Sequence, residues 1–325
     1  MINECRIRKR KVAFRIIKIN SMKTNSIIIL LLLVMVSGFA QQDSQYTHYM
    51  YNTININPAY AGSRGVTSIF GLHRTQWVGL DGAPTTNAFS INSPIQNSRL
   101  GIGVSFVNDK IGASDQNNIS ADLSYTIPVS EKYDLSFGIK ASADLLNVDY
   151  TKLNRYDLNN PLFQNNIDNA FSPNIGAGVF YYSNKLYLGL SVPRFLKIKH
   201  FDDNTSTAVN DKLHYYFTGG YVFDVSPTVK LKPSVLTKMV SGAPLQVDVS
   251  ANVLLQDKFS LGLSYRWSAA ATAMAGIQIT EGLLIGYSYD FDTTSLENYN
   301  SGSHEIFLRF ELFNIQRRII TPRFF

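Results

Sequence analysis

Residues 259–267 read Phe-Ser-Leu-Gly-Leu-Ser-Tyr-Arg-Trp, so that large apolar residues occupy the odd positions and small or polar residues the even ones. Side chains of a β-strand point alternately to its two faces, and this stretch therefore predicts a strand with one apolar and one polar face. The same alternation recurs in residues 133–140 and 283–291, and it is looser in residues 305–312, where Phe307 interrupts the polar face. No window beyond residue 40 carries a long helical period.

The mature part of the chain contains many such alternating stretches, each 9–14 residues long. The predicted strands are 67–76, 85–95, 99–109, 117–129, 133–146, 172–182, 186–194, 213–225, 229–240, 244–256, 259–267, 271–280, 283–292 and 303–314. Tilted strands that cross a membrane need about 9–11 residues, whereas strands of globular proteins average about 5–6. Strand length therefore favours a transmembrane barrel, with a soluble β-sandwich as the alternative.

The connections between these strands alternate in length. Connections after even-numbered strands have two or three residues. Those after odd-numbered strands have 8, 7, 25, 18, 3, 3 and 10 residues and are 77–84, 110–116, 147–171, 195–212, 241–243, 268–270 and 293–302. Short periplasmic turns and longer external loops are typical of outer-membrane barrels, and an even strand number places both barrel ends in the periplasm. We therefore predict an all-β fold, a transmembrane antiparallel β-barrel of about fourteen strands over residues 67–314 in the outer membrane. Pro233 lies inside 229–240 and predicts a bulge or a misplaced boundary.

The basic charge of the chain comes from its leader. Residues 1–25 hold eight of the 30 Lys and Arg and one of the 24 acids, which leaves a net charge of −1 beyond residue 25. A basic isoelectric point is therefore no sign of nucleic-acid binding here. The apolar run Ile27–Val36 and the small residues Gly38 and Ala40 predict a signal peptide over residues 1–40, with the mature chain starting at about Gln41.

The ends of the chain lie outside the predicted barrel. Met22 is a possible true start, because the residues before it are not needed for a signal peptide. Residues 41–66 are predicted to be a periplasmic N-terminal lead-in, and residues 315–325 a C-terminal tail. Either Phe313 or the terminal Phe325 is the aromatic insertion signal. The single cysteine, Cys5, precedes the apolar run, so we expect a cysteine-free mature chain without a lipid anchor.

Catalytic and cofactor motifs are absent from the sequence. There is no phosphate-binding glycine loop, and the pair His304-Glu305 lacks the second histidine of a zinc protease because position 308 is Leu308. Ser303 and His304 are adjacent, so they point to opposite faces of a strand and cannot form a hydrolase pair. Two carboxylates on one face, Asp290 and Asp292, are expected to be lumen polarity. We therefore expect no enzyme activity, no cofactor and no metal.

The segment before the first strand carries the most distinctive motifs. It contains Asn57-Pro-Ala-Tyr60-Ala-Gly62, and Arg74-Thr-Gln-Trp77 follows at the end of the first strand. Together with Gly286–Phe291 and Ser301–Ile306, these motifs resemble the PorP/SprF family of type IX secretion and gliding-motility outer-membrane proteins. The resemblance covers essentially the whole mature chain.

The resemblance implies a barrel that works with the type IX machinery. Implied partners are secretion components (the periplasmic ring and the translocon) and the C-terminal region of a secreted adhesin, in outer-membrane lipid and without nucleic acid. The function is either secretion or surface attachment of one large adhesin, or docking to the ring, and a general porin or solute channel is the alternative.

The residues expected to contact a partner, or to plug the barrel, are Asn57, Pro58, Tyr60, Gly62, Arg74 and Trp77. A plug and a docking element are equally compatible with the turn-forming residues 57–62. Trp77 is either an anchor for a partner in a loop or an aromatic residue at the membrane interface.

Overall fold

The computed structural model describes residues 47–153, 166–196 and 213–312. The predictions for the signal peptide and the C-terminal tail, and those for residues 154–165 and 197–212, fall outside the described residues. The compact barrel unit comprises the described residues of Asp43–Ser241 and Leu245–Phe325, and the turn residues Gly242–Pro244 fall outside it. Among the described residues, no helix is long and apolar enough to cross a membrane.

The described residues form one antiparallel sheet of fifteen strand segments that closes on itself. These segments are β1 (Thr67–Thr75), β2 (Thr85–Pro94), β3 (Leu100–Ile111), β4 (Ser114–Pro128), β5 (Asp134–Val148), β6 (Ile167–Tyr182), β7 (Leu186–Val192), β8 (His214–Tyr221), β9 (Phe223–Ser226), β10 (Val229–Val240), β11 (Gln246–Leu255), β12 (Phe259–Arg266), β13 (Ala270–Gln278), β14 (Leu283–Asp292) and β15 (Ser303–Leu312). The first and last strands pair, with Thr67 opposite Leu312, and this closes the barrel. The predicted antiparallel barrel is confirmed.

One predicted strand is interrupted. Residues 213–225 were expected to form one continuous strand, but Val222 separates β8 from β9. Both segments lie beside β10 and together occupy one strand position, so the fifteen segments form a barrel of fourteen strands. β10 pairs with β8 down to Ser234 and with β9 from Leu231, which leaves Lys232 and Pro233 outside that ladder. Proline has no N–H to donate, and this explains the gap. The predicted limits of β10 are correct, and the bulge lies at Val229 and Lys230.

Two connections are shorter than predicted. The loop expected at 110–116 is a turn of Gly112 and Ala113, because the ladder between β3 and β4 continues to Ile111 opposite Ser114. β6 begins at Ile167, five residues earlier than expected. Polar residues suggested loops here, yet they belong to strands whose side chains bond across the ladder, as Asn108 does to Asp115.

Burial in the barrel is the reverse of that in a globular protein. Buried residues of the strands include many that are polar or charged, such as Asp122, Lys140 and Arg309, whereas Ile139, Leu190 and Leu263 are more than 60% exposed. An apolar exterior facing lipid and a polar interior are the pattern of a transmembrane barrel. The fold therefore defines an outer-membrane protein.

The two ends of the barrel differ. We call the end with turns 95–99, 129–133, 183–185, 227–228, 256–258 and 279–282 the turn end. The opposite end, whose described connections include 76–84 and 293–302 as well as the short 112–113 and 267–269, is the loop end. By the rule for outer-membrane barrels, the turn end faces the periplasm and the loop end the exterior. β1 starts at the turn end.

Candidate functional site: a segment inside the barrel

Residues 47–64, which we call the plug, lie inside the barrel. All of them are buried except Asn55 and Gly62, which are partly buried. They contact inward-facing residues of strands around the wall, including β2, β5, β7, β11 and β15. These residues belong to the segment 41–66 that the sequence predicts to be a periplasmic lead-in, and the structure places residues 47–64 within the lumen and begins β1 at Thr67. A turn-rich segment without strand periodicity looks the same in sequence whether it lies in solvent or in a polar lumen.

The plug runs through the lumen from the loop end to the turn end. Its first residues, Thr47 and His48, bond to Glu305, which is near the loop end of β15. Its later residue Gly62 packs against Pro94 and Gly101 at the turn end. The chain then enters β1 at Thr67. The plug thus extends through the lumen from one barrel end to the other.

Carboxylates of the wall hold the start of the plug. The backbone N–H groups of Thr47 and His48 donate to Glu305 at 3.0 and 2.8 Å, and the His48 ring also contacts that carboxylate. The hydroxyl of Thr47 donates to Asp290 at 2.8 Å. Thr272 donates to the other oxygen of Asp290 at 2.8 Å. The oxygen atoms of both carboxylates therefore accept hydrogen bonds from the plug or from the adjacent wall.

Arg74 completes this cluster, which we call the latch (Thr47, His48, Arg74, Asp290 and Glu305). Its guanidinium lies 2.7 Å from Asp290 and 3.1 Å from Glu305, and it donates to the Thr47 hydroxyl at 3.0 Å. Only 2% of Arg74 is exposed. A buried arginine between two carboxylates offsets part of their negative charge, whereas a buried charge left without a partner is costly. Arg74 thus contacts the plug and is not available at the surface to bind a partner.

The middle of the plug lies among cations and aromatic rings. Tyr51 stacks on Phe307 with ring centroids 4.8 Å apart. The Lys232 ammonium and the Arg309 guanidinium lie 4.9 and 5.4 Å from the Tyr51 ring centroid. Such cation–π contacts stabilise a buried ring by about 0.5–2 kcal/mol each.

A lysine of the wall binds the plug backbone in this region. The Lys140 ammonium donates to the carbonyl of Ile54 at 3.3 Å and pairs with Asp122 at 3.0 Å. The lumen charges predicted from the alternating pattern therefore fill the interior by bonding to the plug and to one another.

Asn57 ties the next part of the plug to two strands. Its side-chain oxygen accepts from the backbone N–H of Ala59, which caps the 3-10 helix Pro58–Tyr60. Its amide nitrogen donates to the carbonyl of Val179 on β6 at 3.0 Å. A Cβ at Gly178 or at Gly189 would collide with this amide. Two glycines on neighbouring strands thus form the recess for Asn57.

Further glycines let the plug backbone touch the wall. A Cβ at Gly138 would collide with the backbone at Pro58 and Ala59, and one at Gly101 with the carbonyl of Ala61. Gly62 has a φ of +71°, and a Cβ there would lie 2.9 Å from the Cα of Gly101. Glycine is required at Gly62 both for this conformation and for the close approach.

Tyr60 and Arg64 fix the end of the plug. The Tyr60 ring packs edge-on against Phe180 with centroids 5.5 Å apart, and its hydroxyl accepts from Arg64 at 3.5 Å. Arg64 forms a buried ion pair with Glu311, near the turn end of β15. The plug is therefore hydrogen-bonded to Glu305 near the loop end of β15 and ion-paired to Glu311 near its turn end.

Trp77 lies apart from the plug. It follows β1 in the connection 76–84, has a φ of +46° and is partly buried. Its backbone N–H donates to the hydroxyl of Ser303 at 3.2 Å. Of the six predicted site residues, the structure brings Asn57, Pro58, Tyr60, Gly62 and Arg74 into the plug and its wall, and it places Trp77 in a loop-end connection.

The described residues offer no group of three or more His, Cys, Asp or Glu that could hold a metal ion. Ser303 is buried, whereas His304 lies on the other face with its ring bonded to the Tyr287 hydroxyl at 2.6 Å. The described site is therefore built from structural hydrogen bonds and ion pairs.

Sequence reasoning missed the partners of the plug. Asp290 and Glu305 were interpreted as lumen polarity and as part of a failed metal motif, and Thr47 and His48 were not selected. One signal could have found the contact surface. Four inward-facing positions of the wall are occupied by glycine, namely Gly101, Gly103, Gly138 and Gly178. Inward-facing glycines in a barrel indicate the close approach of another backbone.

Comparisons with known proteins give one family match and several similar solved structures. A family model described as "Type IX secretion system membrane protein PorP/SprF" matches residues 38–310. Among solved structures, Omp33 of Acinetobacter baumannii is 10% identical with a TM-score of 0.43, covering 76% of this chain and 98% of its own. The toluene transporter TodX of P. putida is 8% identical with a TM-score of 0.46, covering 81% and 94%. The CymD monoaromatic hydrocarbon channel is 12% identical with a TM-score of 0.47, covering 81% and 93%. A search of curated proteins finds no match.

The closed sheet with its apolar exterior and filled polar lumen defines an outer-membrane β-barrel protein. Because the family model covers most of the chain, the protein belongs to the PorP/SprF family and is a membrane component of type IX secretion.

Proposed function

We propose that this barrel is an accessory component of the type IX secretion and gliding machinery. Its role is the secretion or surface attachment of a large adhesin, docking to the periplasmic ring, or both. Its function is binding rather than catalysis, and its signal peptide is cleaved so that the mature chain starts at about Gln41. Partner contacts use the outer surfaces of the barrel, because the motif Asn57–Gly62 is buried in the lumen against the inner wall.

The observation that carries this proposal is the position of the motif Asn57–Gly62. The motif is bonded to the inner wall of β6 and packed on glycines of β3 and β5. A solute channel needs a continuous aqueous path through its lumen, whereas a docking component does not. The plug, hydrogen-bonded to Glu305 near the loop end and ion-paired to Glu311 near the turn end, favours the docking component.

Deletion of the gene, followed by quantitative proteomics of the cell surface and medium, tests the proposal. Loss of one or two large adhesins would identify a dedicated cargo partner, and loss of every type IX substrate would identify a core component. An unchanged secretome would contradict the proposal and favour the porin. Complementation with the wild-type gene is the control, because it must restore the lost proteins.

A further inference from the structure

Asp144 on β5 is the one buried carboxylate among the described residues that forms no ion pair. The other five each pair with a Lys or an Arg, and they are Asp122, Asp248, Asp290, Glu305 and Glu311. Only 1% of Asp144 is exposed. A buried carboxylate is costly unless a positive charge lies beside it. The lumen around Asp144 is therefore a place where a cation is expected.

Only one oxygen of Asp144 is bonded. Its Oδ1 accepts hydrogen bonds from the side-chain amides of Gln116 and Asn118 on β4 at 3.0 and 2.9 Å. Its Oδ2 is buried, and no described residue lies within hydrogen-bonding distance of it as a donor or as an acceptor. A protonated carboxyl would therefore also lack a partner for its O–H. Neutral amides hold the carboxylate in place but leave its charge and its Oδ2 available to a cation.

The cations on this side of the barrel do not pair with Asp144. The Lys140 ammonium, two inward positions closer to the turn end, bonds to Asp122 and to the carbonyl of Ile54. Arg194, in the connection after β7, forms no ion pair with Asp144. Toward the loop end from Lys140, the inward positions of β3, β4 and β5 include no Lys, Arg or His. The electrostatic potential at this wall therefore attracts a cation.

The side chains around Asp144 supply uncharged oxygens. Ser142 is the adjacent inward residue of β5, and its buried hydroxyl has no hydrogen-bond partner among the described residues. Asn118 lies directly opposite Asp144 on β4, and Ser172 lies opposite it on β6. A carboxylate surrounded by neutral oxygens, without sulfur or imidazole, suits a hard cation such as calcium.

The plug brings a further amide to this side of the lumen. Lys140 on β5 donates to the carbonyl of Ile54 at 3.3 Å, so the plug approaches β5 one inward position from Ser142. The next plug residue is Asn55. Both polar atoms of its side-chain amide are buried, and neither has a hydrogen-bond partner among the described residues. Amide oxygens are common calcium ligands, so Asn55 is the candidate ligand from the plug.

We propose that the inner wall around Asp144 binds a calcium ion, with Asp144 as the charged ligand and oxygens of Ser142 and Asn55 as further ligands. A single carboxylate makes a weak site, with a dissociation constant of about 0.1–1 mM as in extracellular calcium modules. Asp144 is four residues from the loop-end limit of β5, so the ion enters from the exterior. This site goes beyond the docking role and does not depend on it.

Thermal unfolding of the purified protein in detergent tests the site. The protein is treated with EDTA and then given calcium chloride at about 10 mM, which is tenfold above a dissociation constant of about 1 mM. We expect calcium to raise the unfolding temperature by about 3 °C relative to EDTA. Magnesium chloride at the same concentration should give a clearly smaller shift, because magnesium demands octahedral geometry and loses its water reluctantly. No shift with calcium, or equal shifts with both salts, would overturn the proposal.

Two matched variants locate the ion. Asp144→Asn keeps the size of the side chain and removes its charge, so we expect it to abolish the calcium shift without lowering the unfolding temperature in EDTA. Asp115→Asn removes a carboxylate of β4 that pairs with Lys110 at 3.1 Å, and it should keep the wild-type calcium shift.

Three results would overturn the assignment to Asp144. These are an undiminished calcium shift in Asp144→Asn, loss of the shift in both variants, and a clearly lower unfolding temperature of Asp144→Asn in EDTA. The last result would show that a cation of the chain itself balances Asp144. If Asp144→Asn does not fold, the comparison of calcium with magnesium on the wild-type protein still decides whether the site exists.

Discussion

The guanidinium of Arg74 on β1 lies 2.7 Å from the carboxylate of Asp290 on β14, and the hydroxyl of Thr47 bonds to both side chains. β14 and β1 flank β15, the strand that closes the barrel. The plug is thus fastened across the closure between the first and last strands. Because the plug bonds to strands on both sides of this closure, the plug and the barrel wall stabilise each other.

Removing the arginine of the latch should destabilise the barrel strongly. Arg74→Ala leaves the carboxylates of Asp290 and Glu305 buried without their cation, which typically costs about 3–5 kcal/mol. We expect a clear decrease in the temperature at which the folded band converts to the unfolded band on a gel in detergent. Lys110→Ala, which removes a pair that is largely exposed, is the control and should cost about 1 kcal/mol or less. Equal conversion temperatures for the two variants would disprove the latch.

Filling a glycine recess should dislodge the plug. Gly138→Val places side-chain atoms where the backbone of Pro58 and Ala59 now lies. Arg64 is the only Lys or Arg in residues 47–64, and it is buried, so trypsin should cleave there only after the plug leaves the wall. We expect cleavage after Arg64 in purified Gly138→Val and protection in the wild type.

The matched control for this variant lies on the same strand. Ala141→Val adds apolar atoms on the exposed side of β5 and should leave Arg64 protected. Protection of Arg64 in both variants would show that the plug does not depend on the recess at Gly138.

Asn57 should stabilise the plug through both the oxygen and the nitrogen of its side-chain amide. Asn57→Ala loses the cap on Ala59 and the bond to Val179, and the loss of one or two buried hydrogen bonds should cost about 1–3 kcal/mol. Thermal unfolding in detergent measures this decrease. Gln96→Ala, at an exposed site in the turn 95–99, should leave the unfolding temperature unchanged. A wild-type unfolding temperature for Asn57→Ala would contradict the assigned bonds.

Processing of the leader gives a prediction that does not depend on the barrel. The apolar run Ile27–Val36 and the small residues Gly38 and Ala40 predict cleavage before Gln41. Mass spectrometry of protein purified from outer membranes should identify an N-terminal peptide that begins at Gln41. A mature protein that retains the run Ile27–Val36 would disprove the cleavage.

The barrel could be predicted from sequence because lipid and a polar lumen impose opposite demands on neighbouring residues. Phe259–Arg266 alternates in sequence and in the structure, and the limits predicted for β10 and β14 are those observed. Predictions failed where polar residues stand on both faces, as between Asn108 and Asn117, because the hydrophobic pattern disappears there although the ladder continues.

The plug could be predicted only in part. The motif Asn57–Gly62 was selected as a plug or a docking element, but its wall partners are distant in sequence, with Thr47 bonding Asp290 and Asn57 bonding Val179. Such pairs depend on which inward residues the barrel brings to the same depth, and a single sequence does not contain that information. For the same reason, Asp290 was interpreted as ordinary lumen polarity, and Glu305 only as part of an incomplete metal motif.

Conductance in planar lipid bilayers tests directly whether residues 47–64 close the lumen. The purified wild-type protein is inserted beside a general porin as the positive control, under the same voltage and salt. We expect the porin to give stable open-channel steps and this protein, although folded and inserted, to give none. Stable open steps from the wild-type protein would contradict a plugged docking component and would favour a solute channel.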